Sequence, residues 1–186
     1  MSFHFCLERR ASKRRLGSAL KRTVVLVSGA VTVGCVVATM WLMPGYADED
    51  GSPIFDVKIP AGYRQWELVG VAHESGLDEL RGILGNALTI KAYKEGRLPF
   101  PDGAILAKLA WKHVPSSEFS PAFVPGDATT VQIMVKDSKR YASTGGWGFG
   151  RFINGKPVDR AQHETCFACH QANVKEHDYV FTRLAR

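Results

Sequence analysis

The sequence predicts an α+β domain that is mainly β, an antiparallel sheet with a few short helices. Three observations carry this: alternating strand-like runs at residues 104–114 and 129–136, a hairpin signal at Asn154-Gly155, and two short helical stretches, one capped by Asn86. A chain of 186 residues has room for one domain with a core of its own, and no internal repeat or low-complexity tract follows residue 53.

In chain order, "YRQWELVGVAH" (63–73) mixes aromatic and β-branched residues and predicts a strand. "ELRGILG" reads equally as a strand or a helical turn. Asn86 can cap a helix over "ALTIKAYKE", with Gly96 at the position just past its end. "LPFPDG" (98–103) is turn chemistry. In "AILAKLAWKHV" (104–114), Ile105, Ala107, Leu109 and Trp111 share one face, and Leu106, Lys108, Ala110 and Lys112 the other. A proline-rich loop is expected up to Gly126. "TTVQIMVK" (129–136) alternates again, and "WGFGRFI" gives a third strand turned at Asn154-Gly155. "DRAQHETCFACHQ" suits a short helix and "DYVFTRL" a closing strand.

Residues 1–47 stand apart. They hold seven of the 24 basic residues (Arg9, Arg10, Lys13, Arg14, Arg15, Lys21 and Arg22) and one of the 18 acidic ones, Glu8. The body is left with 17 of each sign, so the formal charge of +6 belongs to the leader. Without a basic patch interleaved with aromatics, nothing points to nucleic acid. A basic run, an apolar segment at 23–43, Pro44-Gly45 and small Ala47 follow the order of an export signal cleaved after Ala47. The apolar stretch of about 20 residues also suffices for a retained membrane anchor. Both readings put the body outside the cytoplasm, in the periplasm, with contact to the membrane only through this segment. Residues 48–58 are expected as a linker and 59–186 as the domain. Cys35, in "TVGC", reads as a small apolar leader residue, and it leaves with Cys6, so the body keeps Cys166 and Cys169.

Those two cysteines stand in "CFACH". Cys-x-x-Cys-His is the attachment sequence of c-type haem: two thiols on one helical turn each join a vinyl group, and the next histidine reaches the iron. Cys166 and Cys169 are thus the candidate anchors of one covalently bound haem c, and His170 its iron ligand. Three other readings compete: a redox disulfide, which usually belongs to a βαβ unit, half of a zinc site, and a structural disulfide closing a short loop. No methionine follows His170, unlike in small helical electron carriers, and the body's one methionine is Met134. The haem is expected against a sheet with an open sixth position, for which Met134, His73, His113, His163 and His177 are the candidate ligands.

"AKLAWKHV", "VKDSKRYASTGGWGFGRF" and "CFACHQANVKEHDYVFTRL" together resemble the cytochrome P-460 family, which includes the cytochrome c′-beta proteins, over about Ile59 to Leu184. The resemblance implies a largely β, five-coordinate c-type haem protein, usually a periplasmic homodimer. One branch oxidises hydroxylamine to nitric oxide or nitrous oxide; the other binds diatomic gases under an apolar cap. By the same resemblance, Lys108 matches a strand lysine joined covalently to the haem edge. Gln132 stands where the hydroxylamine-oxidising branch has a distal carboxylate, and glutamine cannot take up a proton at neutral pH. Arg81 matches a family arginine that faces the pocket. Trp147, Phe149 and Phe152 read as haem-packing core, and Asp178 and Arg183 as ties between the last strand and the sheet.

The expected function is an exported haem oxidoreductase acting on hydroxylamine or nitric oxide, with Lys108, Gln132 and Arg81 around the reacting ligand. It would pass electrons to an acceptor protein such as a soluble cytochrome c. The alternatives are a non-catalytic binder of nitric oxide or carbon monoxide, and an electron carrier with its sixth position closed.

Overall fold

The computed structural model of the protein describes residues 50–185. The expected export signal or anchor, its cleavage after Ala47, Cys6 and Cys35 lie outside the described residues. Among the described residues, no helix is long and apolar enough to cross a membrane.

The domain is α+β and mainly β. Its strands are β1 (Glu67–Glu74), β2 (Glu79–Gly85), β3 (Ile105–Pro115), β4 (Phe123–Lys136), β5 (Trp147–Ile153) and β6 (Lys156–Pro157). They form one antiparallel sheet in sequence order, each strand hydrogen-bonded to the next. Helix α1 (Ala87–Lys94) connects β2 to β3, and helix α2 (Arg160–Val174) follows β6.

"ELRGILG" resolves as strand β2, because its partners on both sides are strands. The Asn86 cap forms as expected: its Oδ1 accepts the Thr89 backbone N–H at 3.0 Å and that of Ile105 at 3.2 Å. Such a cap contributes about 1 kcal/mol, and here it also pins the start of α1 to β3. Gly96 follows with φ of 63°. At the β5–β6 hairpin, Asn154 and Gly155 take φ of 50° and 78°, the conformation that this dipeptide favours.

Three expectations need correction. The loop up to Gly126 is shorter than predicted, because β4 begins at Phe123 and runs through Pro125. Irregularities between Ala110 and His113 absorb the proline at that end of the pairing. "DYVFTRL" is not a strand: a 3-10 turn (Lys175–His177) precedes it, and Asp178 and Tyr179 have φ of 48° and 64°. Its backbone bonds go to single partners, as where the Ala185 N–H donates to the Val69 carbonyl at the β1 bulge. Residues 52–57, placed in the linker, are packed. The Ser52 hydroxyl donates to the Phe149 carbonyl at 2.7 Å, and Phe55 and Val57 are buried in the core.

The sheet register positions the site. Ile83, Lys108, Gln132 and Arg151 are paired in one row across β2, β3, β4 and β5. Residues directly opposite in an antiparallel sheet point to the same face. Leu106, Met134 and Phe149 form the next row on that face, and Arg81, Ala110 and Thr130 the row on its other side.

Candidate functional site

Helix α2 starts at Asp159, whose carboxylate accepts the Gln162 N–H at 2.9 Å. Cys166, Cys169 and His170 follow at the i, i+3, i+4 spacing that gathers side chains on one helix face. Both thiols are free. Burial pushes the Cys166 thiol up from its ordinary value, so it is held protonated. The His170 ring packs at 5.0 Å from Phe149, and Phe167 lies at 6.4 Å from the same ring. The motif therefore stands against the sheet face that bears Lys108 and Gln132. Phe149 packs against the His170 ring, while Phe152 and Trp147 are fully buried.

His170 Nδ1 lies 2.7 Å from the Tyr179 carbonyl oxygen. A carbonyl only accepts, so Nδ1 carries the proton and Nε2 keeps its lone pair for a metal. Burial lowers the His170 pKa, the Tyr179 carbonyl opposes this, and the charge of Lys108 adds to the lowering. The imidazole is thus neutral at neutral pH, as a ligand must be.

The Tyr179 carbonyl is aimed by an unusual piece of chain. Asp178 and Tyr179 both occupy the left-handed region, which costs about 1–2 kcal/mol for each non-glycine residue. The surroundings hold them there. Asp178 accepts two bonds from the buried Lys136 ammonium, at 2.7 and 2.9 Å, and the Phe100 N–H at 2.8 Å. Its carbonyl accepts the Trp147 indole N–H at 2.8 Å. Gly145, at φ of 65°, lets the Tyr179 ring lie so close that a Cβ there would be 2.2 Å from it. Asp178 thus ties the terminal segment to the sheet as expected. Arg183 does not: its guanidinium bonds to the carbonyls of Val180 and Phe181, within its own segment.

Across the sheet face the arrangement is polar. Lys108 is half-buried and has no hydrogen bond or ion pair among the described residues. Burial first, then the positive charges of Arg81 and Arg151, lower its pKa to about 8, against the pull of Glu79 and Glu74. Gln132, its direct neighbour on β4, makes one long bond, donating to the Thr130 hydroxyl at 3.4 Å. Arg81 shares this face, but its guanidinium is bound by Glu74 at 3.1 Å and by Glu79 at 3.0 Å. It borders the row rather than reaching freely from it. Glu79 is buried and also accepts the Thr129 hydroxyl at 2.6 Å. Although burial opposes it, these bonds and the nearby positive charges hold its carboxyl below the ordinary value.

The candidate distal histidines separate. His163 is fully buried, its Nε2 accepting the Arg151 N–H at 3.1 Å while Nδ1 donates to the Asp159 carbonyl at 2.9 Å. Both ring nitrogens are used, so it anchors α2 to β5. His177 Nδ1 is engaged with the terminal segment, 2.9 Å from the Val180 carbonyl and 2.7 Å from Arg183. His73 and His113 stack on each other at the far ends of β1 and β3. Met134 shares the face with Lys108 and is half-buried.

Sequence reasoning missed Glu79, Arg151 and Tyr179. Period-two counting from Phe149 would have found Arg151, and counting back from Arg81 would have found Glu79. Tyr179 acts through its backbone, which leaves no side-chain signal.

A haem group fits these residues. Two unpaired thiols and a neutral imidazole share one helix face. Arg151 Nε is buried without a hydrogen-bond partner among the described residues. A buried donor on a cation is costly to leave unpaired, and an anionic carboxylate such as a haem propionate would satisfy it. No second cluster accompanies the thiols: the metal-capable grouping among the described residues, His73, Asp78 and His113, lies elsewhere.

The fold and the site define a sheet-based domain, an antiparallel meander with the helix of Cys166, Cys169 and His170 laid on one face. The cytochrome P-460 family model matches residues 60–182, and the chain belongs to that family. Membership brings a haem cofactor and its iron. No curated protein sequence matches the chain.

Proposed function

We propose that the protein is an exported c-type cytochrome with one haem, joined by thioethers to Cys166 and Cys169 and ligated through His170 Nε2. In this reading it is an oxidoreductase for hydroxylamine or nitric oxide at five-coordinate iron. The observation that carries it is the polar row facing the motif: Lys108, Gln132 and Arg151, flanked by the ionised Glu79. When bound, the haem would supply an iron that holds a small nitrogen ligand and exchanges electrons with it.

Hydroxylamine going to nitric oxide gives up three electrons and three protons. A polar, charged face suits that traffic better than an apolar cap does. Gln132 would hold the ligand by hydrogen bonding. Lys108, with its pKa lowered to about 8, keeps a fraction of neutral amine at neutral pH. The neutral amine is the nucleophilic form. Joining it to the haem edge would replace one N–H and one C–H by an N–C bond, with two electrons and two protons leaving to an external two-electron oxidant. Electrons would leave to an acceptor protein such as a soluble cytochrome c. Export through residues 1–47, a periplasmic location and a homodimer belong to the same proposal.

The gas-binding reading keeps one observation in its favour: position 132 is glutamine, so no carboxylate stands directly beside Lys108 on β4. Purified haem-loaded protein given hydroxylamine and an artificial electron acceptor separates the two. Consumption with release of nitric oxide is expected. Binding of nitric oxide without any consumption of hydroxylamine would leave the binding module in its place. A six-coordinate low-spin spectrum in both oxidation states would instead favour the electron carrier.

A further inference from the structure

A second chemical grouping lies at the ends of β1 and β3, independent of the haem reading. We propose that His73, Asp78 and His113 bind one divalent transition-metal ion of the zinc class. The ligand atoms of the three residues all lie within 4.8 Å of one another. Asp78 Oδ1 is 3.4 Å from His73 Nε2 and 3.1 Å from His113 Nδ1. Ligands bound tetrahedrally at about 2.0–2.1 Å stand about 3.3 Å apart, so two edges of a zinc polyhedron are already near their final size. The third edge, between the imidazoles, lies within 4.8 Å and closes by movement of the exposed His73.

Two of the three ligands are held in advance. The His113 ring is stacked between His73 at 4.2 Å and Phe123 at 4.0 Å, and its side chain is 15% exposed. Asp78 sits in the turn between β1 and β2 at φ of 54°, and its carbonyl accepts the His113 backbone N–H at 3.1 Å. The carboxylate is thereby carried to the end of β3, although 34 residues separate the two positions in the chain. One carboxylate oxygen faces two imidazole nitrogens, a donor set that suits zinc, copper or nickel, whereas magnesium and calcium prefer oxygen ligands. Both His73 and Asp78 are exposed, so the remaining coordination positions open to water.

The test is calorimetric titration of purified haem-loaded protein with zinc chloride, followed by X-ray absorption at the zinc edge. One zinc per chain is expected, with two imidazoles in its shell and no displacement by excess magnesium chloride. His73→Gln and Asp78→Asn should each weaken binding about tenfold or more, with the haem absorption bands unchanged. Identical isotherms in both variants and the parent would overturn the site, as would no zinc uptake or equal competition by magnesium. His73 is exposed on β1, so its variant is expected to fold even if changes at His113 disturb the ring stack.

Discussion

On the α2 side of the sheet face, the groups around His170 are fixed by short bonds; across from it, the row at Lys108 is scarcely bonded at all. His170, Trp147 and Lys136 each make a hydrogen bond of 2.7 or 2.8 Å to the knot at Asp178 and Tyr179. Lys108 has no partner among the described residues, Gln132 has one at 3.4 Å, and Arg151 Nε has none. One region spends its polar groups on itself and is finished as a structure. The other leaves polar groups waiting, which is unfavourable in a folded chain unless a ligand completes them. Under the proposed function, the difference would separate holding a cofactor from acting on what it binds.

Substitutions on the finished side should cost stability. The largest loss is expected from Asp178→Ala, which strands the buried Lys136 ammonium; breaking such a pair costs about 3–5 kcal/mol, measurable by urea unfolding. Gly145→Ala comes next. The added Cβ meets the Tyr179 ring in a left-handed backbone, for about 2–4 kcal/mol. It should also move the Tyr179 carbonyl, so the iron spectrum should change along with the unfolding curve. An unchanged spectrum in a destabilised Gly145→Ala protein would break the link drawn here between that knot and His170.

Substitutions on the waiting side should leave stability near or above the parent and change behaviour instead. The unfolded chain binds the Lys108 proton with an ordinary pKa of 10.5, the folded chain with one of about 8. Between those values the unfolded state holds more protons, so folding gains as pH rises. The gain should reach about 2 kcal/mol, be absent in Lys108→Met, and disappear wherever the amine is bonded to haem. Unfolding curves at pH 7 and pH 10, with and without haem, would measure it. The smallest effect concerns rate: Gln132→Glu should raise hydroxylamine turnover about tenfold by restoring a proton acceptor. No increase with an intact haem spectrum would remove Gln132 from the ligand's side.

Much of this was legible in the sequence. Alternation gave β3 and the core of β4, Asn86 marked the start of α1, and "CFACH" marked a helix that the structure sets against the sheet. "ELRGILG" was ambiguous because its glycines and apolar residues satisfy neither period cleanly, and only its strand partners decide it. Phe123–Gly126 hid its strand behind a proline that the bulged pairing tolerates. "DYVFTRL" misled for the opposite reason: its composition suits a strand, yet Lys136, Trp147 and His170 take up its polar groups one by one. The row Lys108–Gln132–Arg151 depends on the register of three strands, which no local pattern encodes.

The bond from His170 to the Tyr179 carbonyl also bears on how this protein can change over evolutionary time. Side-chain replacement can delete a carboxylate that orients a metal-binding imidazole, but it cannot delete a main-chain oxygen. A neutral carbonyl also pulls less on the ring proton than an anion would, so less electron density would reach an iron bound at His170 Nε2. Under the proposed function, the redox setting on this side would therefore be written into the path of the backbone. It should drift little through point mutation, and insertion or loss of a residue between His170 and Tyr179 is what would reset it.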